Sequence, residues 1–446
     1  MESLIKTSAV YSSAFGDAVT HRADEPSWLR DFRESSFAHF QDVGFPSVTE
    51  EEWKYTNVAS IAKRDFAPVI QVNGTALTKA GLSAWSYQEA PARLVFVNGV
   101  LRRDLSSAGE LPDKVAAIDL VAAANDSQFE GVVRKLFERR PESANGFVAL
   151  NNSLFAGGLF LQLKRNALVE APIHLLFLTE SGSGKTPAAS PRVVVYAEPN
   201  SSATIIETYT SAGAGAYLTN AVIDFAVEDS AQIQHYKVQR ESAEGFHIAT
   251  TNAILGPKAK YETTSINLGG AISRHDIDVV MDHEGAECAI DGLYMVEGSQ
   301  HTDTHSVIDH RQPHCTSRQL YKGILDGKSR AVFNGKVFVR HGAQQTDAQQ
   351  TNKNLLLSNE AQIDTKPQLE IYADDVKCTH GAAIGQLDED ELFYLESRGI
   401  NPALAKNMLT YGFAEEVIER IKIASIRREL DEAVLNRLHS EFQIEA

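Results

Sequence analysis

The stretch Ser230-Ala231-Gln232-Ile233-Gln234-His235-Tyr236-Lys237-Val238 decides the fold, because its pattern recurs along the middle of the chain. Each time, a small residue is followed by a short β-prone run. Similar starts fall at Ala203, Ala259 and Ala286, so the intervals are 28, 28 and 27 residues. Such a period fits one coil of a β-solenoid, whereas a β-sandwich would have short strands without this regular spacing. We therefore predict a mainly β protein with a right-handed parallel β-helix as its core.

Helix signals stand on both sides of this β-rich region. Ser27 begins an amphipathic stretch that Gly44 ends, and Thr49 to Glu52 has the Thr-x-x-Glu pattern of a capping box. Asn98-Gly99 predicts a tight turn between two short strands. We predict three domains: an N-terminal helical and mixed domain over 1–150, the parallel β-helix over 151–380 and a C-terminal helical domain over 381–446.

The C-terminal helices are marked by their end signals. Asp388 with Glu391 forms a capping box, Gly399 ends that helix, Asn401-Pro402 begins the next one and Gly412 ends it. An apolar stripe then recurs at helical spacing, and it is larger than a terminal helix needs for itself. We predict that this region binds a partner protein. The stripe comprises Val417, Ile421, Leu430, Val434, Leu438 and Phe442, and the side chains assigned to the partner are Leu404, Met408, Tyr411, Val417 and Ile421.

The charge of the chain restricts its partners. Its 59 acidic side chains outnumber the 42 basic ones, and the formal charge of -17 at pH 7 repels phosphate backbones and anionic lipids, so we expect no nucleic-acid or membrane partner. Met1 to Lys6 lacks the features of a signal peptide, and we expect a soluble, cytoplasmic protein. Cys288, Cys315 and Cys378 are too few for a disulfide framework, so we predict free thiols.

One segment resembles the end of a phosphate-binding loop. It runs from Ser181 to Thr186 and contains Gly-Ser-Gly-Lys-Thr. Thr179 stands where the first glycine of such a loop is required, and Pro187 follows where a helix must begin. We expect no nucleotide site here, so any ATP chemistry belongs to a partner.

A histidine-rich segment could bind a metal. His301, Asp303 and His305 alternate along one strand and share a face, and three more possible ligands follow at His310, His314 and Cys315. The alternative is an outward polar row whose side chains hydrogen-bond along the sheet without a metal.

Cys378 and His380 are the stronger candidates for a functional site. A thiol and an imidazole two residues apart project from the same face of a strand and could share one metal or sulfur species. Two ligands are fewer than the four or so that zinc or an iron-sulfur cluster needs, so the remainder would come from a second chain docked on the open edge of the final strand. The alternative for Cys378 is a small packing residue.

Three stretches carry a resemblance to a known family. Cys378 to Ile400 resembles the C-terminal signature of the SufB/SufD family of iron-sulfur cluster assembly proteins, and Tyr321 to Lys336 is similar to the β-core pattern of that family. Glu51-Glu52-Trp53-Lys54-Tyr55-Thr56 resembles an element typical of the SufD branch.

The resemblance implies a parallel β-helix scaffold without enzymatic activity or a tightly bound cofactor. It implies pairing with SufB through the β-helix edge and binding of the ATPase SufC through the C-terminal helices. It also implies a transient iron-sulfur cluster shared with SufB, with His380 facing a SufB cysteine; whether Cys378 binds the cluster or packs stays open. The isolated chain could form a homodimer.

Two readings from other classes compete with the scaffold. A parallel β-helix enzyme acting on polysaccharide would need clustered carboxylates and stacking aromatic residues along one face, and the middle of the chain has no convincing row of them. A homodimeric storage or metal-buffer protein rests only on the histidine-rich segment.

Overall fold

The computed structural model describes residues 9–20, 22–71, 77–139, 145–181, 186–213 and 215–439, with side chains up to residue 435. Within these residues a β-solenoid is flanked by helices. The helices are α1 (Ala9–Val19), α2 (Ser27–Val43), α3 (Ala59–Ala62), α4 (Leu120–Asn125), α5 (Glu130–Glu138), α6 (Gly146–Leu154), α7 (Glu389–Ser397), α8 (Pro402–Ile418) and α9 (Ala424–His439). Short 3-10 helices cover Glu51–Trp53, Ala80–Trp85 and Ala108–Glu110.

The strands are β1 (Ala67–Pro68), β2 (Ala92–Val97), β3 (Val100–Arg102), β4 (Val115–Asp119), β5 (Leu159–Leu163), β6 (Ile173–Glu180), β7 (Pro187–Ala189), β8 (Arg192–Ala197), β9 (Ser202–Ala212), β10 (Tyr217–Val227), β11 (Gln232–Gln239), β12 (Gly245–Leu255), β13 (Lys260–Asn267), β14 (Ile272–Met281), β15 (Glu287–Val296), β16 (His301–His310), β17 (Thr316–Leu325), β18 (Arg330–Val339), β19 (Thr346–Leu356), β20 (Gln362–Ile371) and β21 (Val376–Gly385).

Successive strands alternate between two sheets. From β8 onward the even-numbered strands stack in one sheet and the odd-numbered strands from β9 stack in the other, always in parallel. About seven coils result, and the inward row of each strand is buried in the space between the sheets, which we call the lumen. The mainly β solenoid prediction is confirmed, and the right-handed sense of its winding stays a prediction.

The two ends of the solenoid differ. At the first end each sheet finishes in a short antiparallel strand, β3 on β2 in one sheet and β4 on β5 in the other. At the last end the sheets finish in β20 and β21, which are parallel, ten residues long and bonded only on the side of β18 and β19 among the described strands.

A tight corner explains the sequence repeat. Before each odd-numbered strand from β9 to β19, one residue adopts a left-handed backbone, and the next residue lies inside the corner, where a small side chain fits. Ala231, Ala259 and Ala286 occupy this inner position and are fully buried. In the preceding coil the same position is Ser201, so the predicted start at Ala203 is two residues too late, and Ala203 pairs with Ile233. The left-handed residues include Asn200 (φ 58°), Ser230 (φ 58°), Lys258 (φ 52°) and Gly285 (φ 71°).

Tyrosine and glycine interlock between two neighbouring strands of the lumen. Gly292 of β15 pairs with Tyr321 of β17, and Tyr294 of β15 pairs with Gly323 of β17. Both tyrosine rings are buried, and each lies over the glycine of the other strand, where a Cβ would overlap the ring.

We expect Gly292→Ala to lower the free energy of unfolding by about 1–3 kcal/mol, because the added methyl group forces the Tyr321 ring out of a close-packed lumen. Urea unfolding followed by circular dichroism measures this. Gly381→Ala on β21 is the matched control, since a Cβ there meets no atom within 4 Å. Equal stability of the two variants would contradict the interlock.

Aromatic side chains attach the N-terminal helices to the solenoid. Tyr11, Phe40 and Trp53 are buried in one cluster with Phe147 of α6, and this cluster continues onto Phe246 of β12. The Trp53 and Phe147 rings stack with centroids 5.6 Å apart. The first helices therefore dock on the even-numbered sheet.

Local predictions in this region are partly confirmed. α2 ends at Gly44, where φ is 68°, and the Asn98-Gly99 turn joins β2 to β3 with Val97 paired to Val100. The capping box predicted over Thr49 to Glu52 is wrong. The side chain that turns back is Glu50, whose Oε1 accepts the N–H of Ser47 at 2.8 Å, and only a 3-10 turn follows. Neighbouring Ser, Thr and Glu residues made the register ambiguous.

The C-terminal helices begin where predicted. Asp388 Oδ1 accepts the N–H groups of Asp390 and Glu391 at 2.8 and 3.1 Å, and Asn401 caps α8. The predicted stop at Gly412 is wrong, because α8 continues to Ile418. Glycine inside a helix costs only about 1 kcal/mol, which the burial of the last turn of α8 offsets.

The apolar stripe of the tail packs on its own chain. Val417, Ile421, Leu430 and Val434 are fully buried in one cluster with the outer face of the odd-numbered sheet. The sheet residues of this cluster are Ile206, Tyr236, Val238, Ile266, Leu293, Met295, Leu320 and Ile324. Ile421 lies in the connection between α8 and α9. The last stripe members, Leu438 and Phe442, lie outside the described side chains.

The predicted division into three domains stays a prediction. Its first boundary, at residue 150, falls within α6, and β2 and β4 from the N-terminal region are hydrogen-bonded into the two solenoid sheets. Among the described helices, none combines the length and the hydropathy needed to cross a bilayer.

Candidate functional site

The open last coil presents a long strand with little cover. All but a few residues of β21 are exposed, including Ile384 at 50%. Its outer edge carries backbone N–H and C=O groups without a neighbouring strand in the described part of the chain. Such an edge is a template for pairing with another strand.

Cys378 and His380 lie on the inward row of this last strand. Cys378 pairs with Ala348 and packs on the lumen cluster, while His380 pairs with Gln350 and is exposed. Alternate residues share a face, so both side chains belong to the open end of the lumen. The structure therefore brings the two sequence-predicted residues together.

The two side chains differ in their readiness to act as ligands. Burial raises the pKa of the Cys378 thiol, which disfavours the thiolate that metals and clusters bind. The exposed His380 is open to approach. Among the described residues, no group of three or more His, Cys, Asp or Glu side chains is arranged to hold a metal. The pair alone therefore leaves a ligand set incomplete, and the open coil gives a second chain access to it.

A ladder of amides lies beneath His380 and escaped the sequence analysis. Gln350 Nε2 donates to Gln319 Oε1 at 2.7 Å, and Gln319 Nε2 donates to Ser306 Oγ at 2.7 Å. Gln319, Gln350 and His380 are successive partners in the stacking of β17, β19 and β21. In the sequence, the ladder corresponds to a polar residue at the same position of three successive coils. This equivalence can be recognised only when the strand register is known.

The histidine-rich segment belongs to a different surface. His301, Asp303 and His305 lie on the outward row of β16, beneath the N-terminal segment. His301 Nε2 lies 2.8 Å from the hydroxyl of Thr56, and His305 lies between Asp303 and Glu52 at 3.1 and 3.2 Å.

Arg274 is the cation at the centre of this surface. Its guanidinium pairs with Asp303 at 2.8 Å and with Asp276 at 2.7 Å, and it lies 3.8 Å from the centre of the Trp53 ring. The Arg274 guanidinium is thus already paired with the carboxylates that a metal ion would need as ligands. These contacts fit the interpretation of the segment as an outward polar row without a metal. The row also attaches the N-terminal helices to the sheet.

The neighbouring possible ligands are separated from one another. His310 is buried in the lumen, where its Nε2 lies 2.9 Å from the Ser317 hydroxyl and burial lowers its pKa to about 4. His314 takes the exposed left-handed corner position with φ 60°, and Cys315 is the small residue inside that corner. All three cysteines are free thiols, as predicted.

Glu52 gives the N-terminal attachment a dependence on pH. The hydrogen bond with His305, and then contact with Lys336, lower the pKa of Glu52 to about 2. A carboxylate with a depressed folded-state pKa stabilises the fold above its unfolded pKa of about 4.3, and this contribution is lost as the pH falls through the folded pKa. His305 has the opposite sign. Although burial and Arg274 oppose it, Asp303 and Glu52 raise the pKa of His305. Its contribution is therefore complete below the unfolded pKa of about 6.5 and is lost as the pH rises through the higher folded-state pKa.

We expect Glu52→Gln to lower the free energy of unfolding by about 1 kcal/mol at pH 6, a modest loss because the Glu52 side chain is 39% exposed. The difference from the unsubstituted chain should persist to about pH 5 and fade toward pH 2. Urea midpoints across this range measure it, with Glu34→Gln on the exposed face of α2 as the control. A deficit that stays constant down to pH 2 would exclude the charge as its origin.

The residues assigned to partner binding divide into two groups. Leu404 and Met408 are 43% and 46% exposed on α8 and are accessible to another protein. Tyr411 is half-buried, and its hydroxyl donates to Asp431 Oδ1 at 2.9 Å. Val417 and Ile421 are fully buried against the sheet, so they belong to the chain's own core.

The segment that resembles a phosphate-binding loop lies partly outside the described residues, which omit 182–185. Thr179 belongs to β6, and Pro187–Ala189 form β7. A strand thus follows where a phosphate-binding loop requires a helix.

Family comparisons match nearly the whole chain. The model described as "SufBD protein N-terminal region" matches residues 7–175. The model described as "SUF system FeS cluster assembly, SufBD core domain" matches residues 177–413.

The alignments with individual relatives cover most of this chain and most of each relative. An iron-sulfur cluster assembly SufBD family protein of Synechocystis is 34% identical and covers 92% of this chain and 91% of its own length. The iron-sulfur cluster assembly protein SufD of Escherichia coli is 32% identical, over 90% of this chain and 92% of the relative. SufD of Bacillus subtilis is 26% identical, over 93% and 94%.

Proposed function

The chain belongs to the SufBD family of the SUF system for iron-sulfur cluster assembly, and from this premise we propose that it is a non-catalytic scaffold subunit that pairs with SufB and binds the ATPase SufC. The observation that carries the proposal is the open last coil with His380 on its inward row. There, one protein ligand stands next to an edge that a second chain can pair with.

An incomplete ligand set suits the handling of a cluster as cargo. An iron-sulfur cluster is held by about four ligands. His380 offers one imidazole nitrogen, and the edge of SufB would contribute the others across the paired strands. A cluster shared in this way is released when the two subunits separate. The raised pKa of Cys378 favours packing over ligation for this thiol.

The contact with SufC would use the exposed face of the C-terminal helices. Leu404 and Met408 are four residues apart on α8 and therefore share a face. α7 contacts α8 and adds Phe393, which is 72% exposed. Apolar side chains grouped on exposed helices are typical anchors for a partner protein.

The alternative of a carbohydrate-active enzyme is not favoured, because helices pack on both outer faces of the solenoid. The N-terminal helices pack on the even-numbered sheet, and α8 and α9 pack on the odd-numbered sheet. The alternative of a metal buffer is not favoured either, because Arg274 pairs with the Asp303 carboxylate of the histidine-rich segment.

Co-purification tests the proposed function. The tagged chain is coexpressed with SufB and SufC, and we expect all three in one complex that accumulates an iron-sulfur cluster on reconstitution. The isolated chain is also assayed against a panel of polysaccharides and by sedimentation for a homodimer. If neither SufB nor SufC co-purifies with the tagged chain, the scaffold hypothesis is refuted. Cleavage of a glycan by the isolated chain would support the enzyme hypothesis.

A further inference from the structure

The amide ladder in the lumen ends in an oxygen without a partner. Gln350 is 2% exposed, and its Oε1 is buried without a hydrogen-bond donor among the described residues. A buried amide oxygen left in this state is unfavourable, because it has lost its hydrogen bonds to water and gained none in exchange. The side chain is fixed in place, because it lies against Gly335 of β18, where a Cβ would collide with the amide.

The order of donors along the ladder sets the direction of this oxygen. Ser306 Oγ accepts from Gln319, whose own oxygen accepts from Gln350. Turning either amide alone would set two NH2 groups or two oxygens against each other. A joint turn of both amides, with the Ser306 hydroxyl as donor, would put the NH2 group at the end of the ladder instead. In the direction that the structure has, the unused acceptor stands at the end nearest β21, and the residue of β21 paired with Gln350 is His380.

We propose that Gln350 is a positioning residue whose Oε1 accepts a hydrogen bond from the ring N–H of His380 and so fixes the tautomer of this histidine. His380 is exposed and has no hydrogen-bond partner in the described part of the chain, so its ring can turn onto the amide. A neutral imidazole has one N–H and one lone pair. With the N–H held by Gln350, the lone pair lies on the other nitrogen.

This arrangement prepares His380 for ligation. Histidines that bind metals donate their second nitrogen to a carbonyl or carboxylate, which orients the ring and raises its basicity. The inference rests on the proposed function for its purpose, but the tautomer is a property of the isolated chain. It can be measured without SufB, SufC or a cluster.

The test is the tautomer of His380 in the full-length chain, read from the 15N shifts of its ring at pH 8 and assigned with His380→Gln. We expect one tautomer in the unsubstituted chain and a mixture in Gln350→Met, which keeps the shape and removes the acceptor. Gln349→Leu is the matched control, because this neighbour on β19 is exposed on the outward row.

The outcomes separate the inference from the proposed function. A mixture of tautomers in the unsubstituted chain, or one tautomer that survives Gln350→Met, would overturn the role of Gln350 whatever the cluster content. In the reconstituted complex, Gln350→Met should weaken cluster binding about 10- to 100-fold. Normal cluster content in His380→Ala would refute the ligand role and leave the tautomer result standing.

Discussion

Replacing His380 by alanine should abolish cluster accumulation in the reconstituted complex while the melting temperature of the chain hardly changes. His380 is exposed on an edge strand, so its removal opens no cavity and lets water reach the Gln350 oxygen beneath it. The imidazole would instead be lost as a ligand, and the described residues include no group of three or more His, Cys, Asp or Glu side chains arranged to hold a metal without it. Iron and sulfide content, measured beside the melting curve and the yield of SufB pairing, gives the result.

Cys378→Ala is the control for this experiment. The thiol packs on the lumen cluster, so its loss should lower stability slightly and leave cluster content near normal. If His380→Ala instead lowers the melting temperature and weakens pairing with full cluster content, the histidine is structural. If Cys378→Ala abolishes the cluster, the thiol is a ligand despite its raised pKa.

The double substitution Leu404→Ser and Met408→Ser should abolish retention of SufC with the chain folded. Both side chains are about half exposed, so neither contributes much to the core. Anchors at an interface often cost about 2 kcal/mol or more each when truncated, and 2 kcal/mol is about 30-fold in affinity. A pull-down at fixed SufC concentration, with circular dichroism of the variant, measures the effect.

Leu168→Ser is the matched control, because Leu168 is also an exposed leucine, at 76%, and lies outside the C-terminal helices. Undiminished retention of SufC by the double variant would move the contact to another surface. Deletion of residues 402–446 would be a less specific test of this contact. It would uncover the outer face of the odd-numbered sheet, which Val417, Ile421 and Leu430 now bury.

The sequence predicted the fold well where the physics is local. Small residues at Ala231, Ala259 and Ala286 are required by the inside of a corner, and one-dimensional spacing detects them. Ser201 fills the same place in the preceding coil. A serine within a polar stretch is harder to recognise as a repeat position than an alanine, so the spacing in the sequence points to Ala203 instead. The Asp388 and Asn401 caps were predictable for the same local reason.

The site was predictable only in part. Cys378 and His380 are adjacent on one strand, but Gln350 reaches His380 through register across a coil of 30 residues. Arg274 is likewise brought to Asp303 by stacking. The apolar stripe that includes Val417 and Ile421 indicates from the sequence that something packs on this helix face. The structure is needed to show that the chain's own odd-numbered sheet packs there.

The unlike ends of the solenoid limit the number of copies that can join edge to edge. If both ends of the solenoid carried long parallel edge strands, each copy could pair with the next one. Such a head-to-tail contact grows into a fibre when it does not close into a ring. Among the described strands, only the end with β20 and β21 offers long parallel edges, while β3 and β4 end the sheets with short antiparallel strands. Once a partner is paired with the edges of β20 and β21, no second pair of long parallel edges is left for another copy. We therefore expect edge-to-edge association to stop at a pair, whereas binding to the C-terminal helices is not limited in this way.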